Sequence, residues 1–515
     1  MDADRKQVSG ALARELDGLQ RAPDQTRHDA LLALCRRALS LGLAAQAIPL
    51  LDALGGADPA NAEVALLRGV ALRREQRFAD AAAVFAGARG AGATDPALLQ
   101  GLAQTRYELG QPAAALFAQA LQSCPGNMEL LRNRALALAS EGQQAKAESL
   151  LEAELARNPD WLDGHRALST LRWTGADQAR FAESYAAAMP RIPHNAALWQ
   201  AWFSALAQVR DWAGATDVLD RWEASLGSSP ATQVSRLFVA SEAGDAATTH
   251  RLLAATQRVS GAAIDLIRVR HALRARDARG AEAICLAQVA TSAAALFWPY
   301  LSLAWRLALD QRHLWLDNPD ALIGVHRVDL AADELTDLAD LLRSLHTMQR
   351  PYAEQSVRGG TQTDRSVIQR DEPIMRLAKA RFLDTVRAYV DGLPPNDPQH
   401  PLLSLPRGHL LIEGSWSVRL LRQGYNVPHN HPVGWISTAF YIALPDAGQM
   451  GPPPCGHIAL GTPPEELGLD LRAYRTIAPE PGLAALFPST MWHRTMPFDD
   501  GERLVIALDV ARPRT

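Results

Sequence analysis

Long apolar runs, paired cysteines, basic tracts and a leader-like start are all missing from this chain, and each absence removes a class of protein. No stretch approaches the roughly 18 uninterrupted apolar residues of a membrane-spanning helix, so no membrane span is expected. The first residues, MDADRKQ, are charged and no apolar segment follows them, which argues against a secretory leader and makes a cytoplasmic setting the expectation. The four cysteines, Cys35, Cys124, Cys285 and Cys455, lie far apart without a CxxC pair. That argues against a disulfide framework or a structural zinc site and suits a reducing compartment. Acidic and basic residues are mixed, with a formal net charge of −4. No run of Lys and Arg stands ready to neutralise phosphates, so nucleic acid is not the expected partner.

What is present is an ordinary globular composition, 48% hydrophobic and 21% charged, unlike that of a disordered chain. A length of 515 residues makes two or more domains the expectation. Residues 1–310 are rich in alanine and leucine, with apolar residues recurring at three- and four-residue intervals, the period of helices. They also repeat. Pro125, Pro159 and Pro193 are 34 residues apart. On the same period fall Gly101, Ala135, Ser169 and Phe203, then Ala113, Ala147, Phe181 and Ala215. Gly69, Ala81 and Phe85 carry the pattern upstream. Small residues let paired helices approach, larger ones such as Phe117 and Leu151 fill the seam, and proline stops the second helix. A helix–turn–helix unit of this length resembles the tetratricopeptide repeat, clear from about 60 to 226 and fainter to 308. Phe181 and Phe203 are bulky where the repeat wants a small residue. The expected architecture is an α-solenoid whose concave face holds a peptide or protein; the alternative use of the array is a homodimer contact or a support for the rest of the chain.

After Trp305 the character changes, with a boundary expected between 309 and 322 and a second domain over 311–515. Ile323–Leu330 reads as a strand, and 331–345 and 371–392 read as helices. From about 400 onward come short β-like runs between Pro and Gly clusters: HLLIEG, SWSVRLL, WISTAFYIAL, HIALG, GLAALFP and RLVIALDV. Such a series predicts a barrel or sandwich.

The residues with chemistry are His429, His431, His493 and Arg503. His429-Asn430-His431 follows SWSVRLL and a glycine turn at Gly424; in an extended strand, side chains two apart share a face, so both imidazoles can reach one metal. His493 follows GLAALFP, where a rolled barrel would supply a distant third ligand. Neutral imidazoles suit iron, copper, nickel or zinc, and the ligand set alone does not choose. Ser437 and Tyr441 share strand parity near the site; hydroxyls on strands also bond within a barrel. Trp435 and Trp492 flank the site as packing residues. His457 is read as a core or surface histidine rather than a ligand.

The pattern H-x-H, a distant His, and Arg503 ten residues later resembles the double-stranded β-helix oxygenases that use Fe(II) and 2-oxoglutarate. GYNVPHNHPVGWISTAFYIALP and FPSTMWHRTMPFDDGERLVIALDV are similar to the ligand strand and the C-terminal half of prolyl-hydroxylase-type domains. The chain most resembles 2-oxoglutarate/Fe(II) oxygenases fused to tetratricopeptide repeats in bacteria, over roughly 315–513 and most specifically at 423–445 and 482–511. The resemblance implies a jelly-roll domain with flanking helices, and hydroxylation of a peptide or protein with O2. It implies His429, His431 and His493 on the metal, and Arg503, aided by Ser437 and Tyr441, on 2-oxoglutarate. It also implies Arg358, Thr361 and Gln362, in QSVRGGTQT, at the substrate mouth. One departure stands out: the family's triad has a carboxylate where His431 stands. A three-histidine set is neutral and should hold Fe(II) less tightly. Asp509, at even spacing from Arg503, is a candidate replacement ligand, or else an internal structural partner. Three rival readings remain: a three-histidine dioxygenase that does not use 2-oxoglutarate, a catalytically silent metal- or oxo-acid-binding scaffold, and an oxygenase whose substrate is a small molecule rather than a peptide. Against a cupin-like site, Pro432, Val433, Gly434 and Trp435 stand where a Glu would be wanted.

Overall fold

The computed structural model describes residues 2–19, 25–353 and 355–513. These form two compact units, one of residues up to Leu151 with Ser366–Lys379, the other of Glu152–Arg365 with Ala380–Pro513. The change from helices to strands thus falls inside the second unit. Among the described residues, no helix is long and apolar enough to cross a membrane.

In the first unit, antiparallel helix pairs follow one another: Ala62–Arg74 with Phe78–Gly90, then Pro96–Glu108 with Ala114–Ser123. Phe85 explains the glycines of the repeat. A Cβ at Gly69 would stand 2.1 Å from its ring, and one at Gly101 would stand 2.7 Å away. The ring, 1% exposed, is wedged between the preceding and following helices, and only a bare Cα on each side admits it. Asn61, Asp95 and Asn127 cap the helices they precede, each side chain accepting a backbone N–H of the first turn, as short polar side chains do.

In the second unit the pairs continue to Ala294–Leu307. Where Phe181 replaces the small residue, the second helix is broken into Gln178–Arg180 and Glu183–Ala188. The ring packs edge-on to Trp173, with centroids 5.4 Å apart. Ala215, at the equivalent place of the next pair, is fully buried. A phenyl ring cannot occupy an alanine's place in such a seam without moving a helix.

Strands follow the helices. A six-stranded antiparallel sheet runs β1 (Gly324–Arg327), β7 (Leu483–Pro488), β4 (Gly434–Ala443), β9 (Arg503–Ala511), β3 (Ile412–Asn426), β2 (Val357–Gln362). A three-stranded sheet runs β6 (Arg475–Ile477), β5 (Ile458–Leu460), β8 (His493–Thr495), and His429 extends it by an antiparallel bridge to His493. From β3 onward, with the His429 bridge counted in the small sheet, the chain switches sheets at every step except β5 to β6, the winding of a jelly roll. Tyr441, Ala485, Phe487 and Val505 of the large sheet pack with Ile458, Leu460 and Ile477 of the small one, so the sheets face each other. Every β4 residue but the last is buried: one face looks into the roll and Phe440 on the other meets Phe382 of the helix Pro373–Asp391. Such a strand reads as a continuous apolar run rather than an alternation.

Gly424 is not at a turn. It lies inside β3, where a bulge between Leu420 and Tyr425 opposes only Arg358–Gly360 of β2, and Gln423 takes the positive φ of 59°. A Cβ on Gly424 would come 2.8 Å from the Gly359 carbonyl oxygen, which is why a glycine stands there.

Candidate metal centre

His429 and His493 exchange both backbone hydrogen bonds at 2.9 Å, and the His431 N–H donates to the Ser489 carbonyl at 2.8 Å. The His429–His431 segment is therefore not a full strand, but these bonds hold it extended and fix three imidazoles at one spot. Ring centroids of His429 lie 5.1 Å from His431 and 4.1 Å from His493, with 5.2 Å between His431 and His493. One nitrogen of each lies within 4.8 Å of the others, a spacing that fits one ion.

The same nitrogen faces inward in each. Nδ1 of His429 meets the Val427 carbonyl at 2.8 Å, Nδ1 of His493 meets the Met491 carbonyl at 3.0 Å, and Nδ1 of His431 meets Asp509 Oδ2 at 2.7 Å. All three partners only accept, so each Nδ1 carries a proton and Nε2 is the nitrogen left to face the others. Burial, then the neighbouring His431, lowers the His429 pKa to about 3. Burial, then His429 and His431, drives that of His493 well below the ordinary range. Those two imidazoles are thus held in the neutral, ligating form.

The site opens into a cavity of about 210 Å³. Arg503 lines its far end, 2% exposed, its Nε without a hydrogen-bond partner. Its guanidinium lies 5.1 Å over the ring of Tyr441, whose buried hydroxyl is also unpartnered. Burial raises the pKa of that hydroxyl, and the Arg503 cation opposes the shift. Among the described residues no carboxylate forms an ion pair with Arg503. On β9, Arg503, Val505, Ala507 and Asp509 share one face; at about 3.3 Å per residue the two ends lie roughly 20 Å apart along the backbone. Between them Ala507 pairs with Ala439 of β4, and both line the cavity. Two methyl groups where larger residues would meet leave the space open.

Asp509 is not among the converging ligands. It stands behind His431, and Ser437 donates to its Oδ1 at 2.5 Å. The Ser437 hydroxyl proton is therefore spent on Asp509 although the residue lines the cavity. Gln362 also lines it. The Thr361 hydroxyl instead pairs with His346 Nδ1 at 2.8 Å, and Arg358 donates to the carbonyls of Gln355 and Val357. Trp435 donates to the Leu402 carbonyl and Trp492 to that of Pro299, so both pack rather than face the cavity. His457 turns Nδ1 to the Cys455 carbonyl at 3.0 Å. Sequence reasoning missed Trp416, which stacks on His431 at 5.3 Å. It missed Ser356, whose hydroxyl is 3.3 Å from His429 Nε2, and Asn426, which donates to Ser356 at 2.9 Å. The parity of Trp416 and Val418 along β3 was the available signal; nothing local marked Ser356.

Residues 414–509, which span all four site residues, match the family model described as "Putative 2OG-Fe(II) oxygenase". No curated protein matches the chain. Among solved structures, a tetratricopeptide repeat protein from Parabacteroides merdae aligns at 15% identity over 46% of this chain and 94% of its own, with a TM-score of 0.31. A Pseudomonas putida prolyl-4-hydroxylase aligns at 17% identity over 38% of this chain and 96% of its own, TM-score 0.26. HygX from Streptomyces hygroscopicus, solved with nickel and 2-oxoglutarate, aligns at 11% identity over 38% and 85%, TM-score 0.27. The chain thus joins a run of paired helices to a β-rich part whose residues 414–509 match the model of a 2OG-Fe(II) oxygenase family.

Proposed function

We propose that this chain is an Fe(II)- and 2-oxoglutarate-dependent dioxygenase that hydroxylates a peptide or protein recruited by its helical repeats. The supporting observation is a single cavity with three inward imidazole nitrogens at one end and, at the other, a buried guanidinium with which no carboxylate among the described residues pairs. An isolated buried cation is costly. A dicarboxylic acid would relieve that cost by pairing bidentately with Arg503. The iron assignment rests on the family match, since the imidazoles themselves also suit other metals. Within the fold, residues 311–515 would be the catalytic domain and residues 1–310 the recruiting one.

Bound Fe(II) would activate O2, so that 2-oxoglutarate, O2 and a substrate C–H yield succinate, CO2 and the hydroxylated product. The chain's own residues prepare for this. His429 and His493 are held neutral by burial, and all three rings turn Nδ1 to an acceptor and Nε2 inward. Arg503 sets the reach of the acid, and the Tyr441 hydroxyl can donate to the same carboxylate. Trp416, Val418, Phe487 and Val505 wall the cavity with apolar surface, which limits water around the charges.

Succinate formation with the full-length chain tests the reading. It should require both iron and 2-oxoglutarate, vanish in His493→Ala, and fall to background in Arg503→Ala at the 2-oxoglutarate concentration that half-saturates the parent. Turnover surviving both changes would refute it. The substrate class is tested separately, by a one-oxygen mass gain on a peptide retained by the chain.

A further inference from the structure

Asp509 is the only carboxylate that touches the imidazole cluster among the described residues, and its surroundings are unlike those of an ordinary strand aspartate. It is 7% exposed, and both oxygens are used: Oδ2 by His431 Nδ1 at 2.7 Å, Oδ1 by the Ser437 hydroxyl at 2.5 Å. Ser489 Oγ stands 3.0 Å from Ser437 Oγ and steadies that serine in turn. Among the described residues, no Lys or Arg forms an ion pair with Asp509. A buried carboxylate with no cation is expensive; the one route to positive charge runs through the His431 ring.

The other two imidazoles differ. His429 and His493 turn Nδ1 to neutral backbone carbonyls; only His431 is backed by an anion. The floor is also shaped for this contact. A Cβ at Gly434 would lie 2.6 Å from Ser489 Oγ and 3.1 Å from the Asp509 Cβ, so the glycine keeps β4 close to the acid.

We propose that Asp509 is a positioning residue that fixes the His431 ring and supplies, through it, the negative charge that the three-histidine set lacks. The facial triad of such oxygenases has a carboxylate at the position of His431. Here the anion has moved one ring further from the metal: His431 ligates and Asp509 charges it from behind. Outer-sphere carboxylates of this kind raise ligand basicity, and removing them typically weakens metal binding about 10–100-fold. The inference rests on the metal reading above.

Co(II) titration of the full-length chain, followed by its ligand-field absorption, tests it. Asp509→Asn keeps the shape and removes the charge. It should weaken Co(II) binding about 10–100-fold and shift the ligand-field bands, with an unchanged circular dichroism spectrum. Should Asp509→Asn fail to fold, Ser437→Ala decides: it keeps the acid but frees it, and Co(II) binding should weaken at least about threefold, roughly one neutral hydrogen bond. Parent-like affinity and spectrum in the variant that folds would overturn the role of Asp509 alone. No Co(II) binding by the parent chain would overturn the metal reading, and this inference with it.

Discussion

The two ends of the cavity are built in opposite ways. At the imidazole end every Nδ1 has an acceptor at 2.7 to 3.0 Å, and the acceptor of His431 is itself braced by Ser437. At the Arg503 end, the guanidinium Nε and the Tyr441 hydroxyl are buried and unpartnered. A buried donor without a partner costs about 1–3 kcal/mol; other arginine Nε atoms share that state, but Arg503 is the arginine among the described residues that lines this cavity. The contrast teaches that the chain itself satisfies the outer nitrogens of the imidazole end, whereas the Arg503 end is left for a ligand to complete under the function proposed above. That ligand must bring an acceptor and negative charge.

The largest effect should come from breaking the finished end. His493→Ala should reduce succinate formation to background and abolish metal retention, as measured by turnover and metal analysis. At the unfinished end, Arg503→Ala should raise the 2-oxoglutarate KM about 100-fold or more, from a lost charge-assisted pair of about 3 kcal/mol, while metal retention persists. Arg503→Lys should restore only part of it, because an ammonium lacks the fork.

The helices, most of the strands and the four residues that the structure gathers around one cavity were legible in the sequence, because alternation, the 34-residue period and the H-x-H spacing are local patterns. Other features were not. The hairpin turns repeat at Gly42, Gln76, Gly110, Gly142, Arg210, Gly244 and Arg276, all with positive φ. Gln and Arg at three of these hid the period, since a side chain tolerates that backbone only when the flanking helices impose it. The strand β2 was not foreseen as a strand, because its glycines weaken the pattern; their place is dictated by the β3 bulge. Asp509 had the right parity, but nothing along the chain could tell a ligand from a brace. That distinction depends on how far β9 lies from the ion, which only register sets.

Smaller effects sharpen the same contrast. Tyr441→Phe should raise the 2-oxoglutarate KM about fivefold, near 1 kcal/mol for one hydrogen bond, with kcat kept. pH separates the site from its surroundings. His346, half-buried between Thr361 and Ser417, has its pKa lowered to about 4, chiefly by desolvation and further by Arg419. A base whose folded pKa is depressed from about 6.5 contributes stability above that pH. The stability is lost as pH falls toward 4, since only the unfolded chain takes the proton. The parent Tm should therefore fall between pH 6.5 and 4, and His346→Gln should flatten part of that fall. An unchanged Tm profile would remove His346 from the account.

The most direct measurement is paired binding: Ni(II) and 2-oxoglutarate titrated into the parent, His493→Ala and Arg503→Ala chains. The parent should bind both. His493→Ala should lose Ni(II), whereas Arg503→Ala should keep Ni(II) and lose the acid. Parent-like affinity for 2-oxoglutarate in Arg503→Ala, or for Ni(II) in His493→Ala, would contradict the division of the cavity into a finished and an unfinished end.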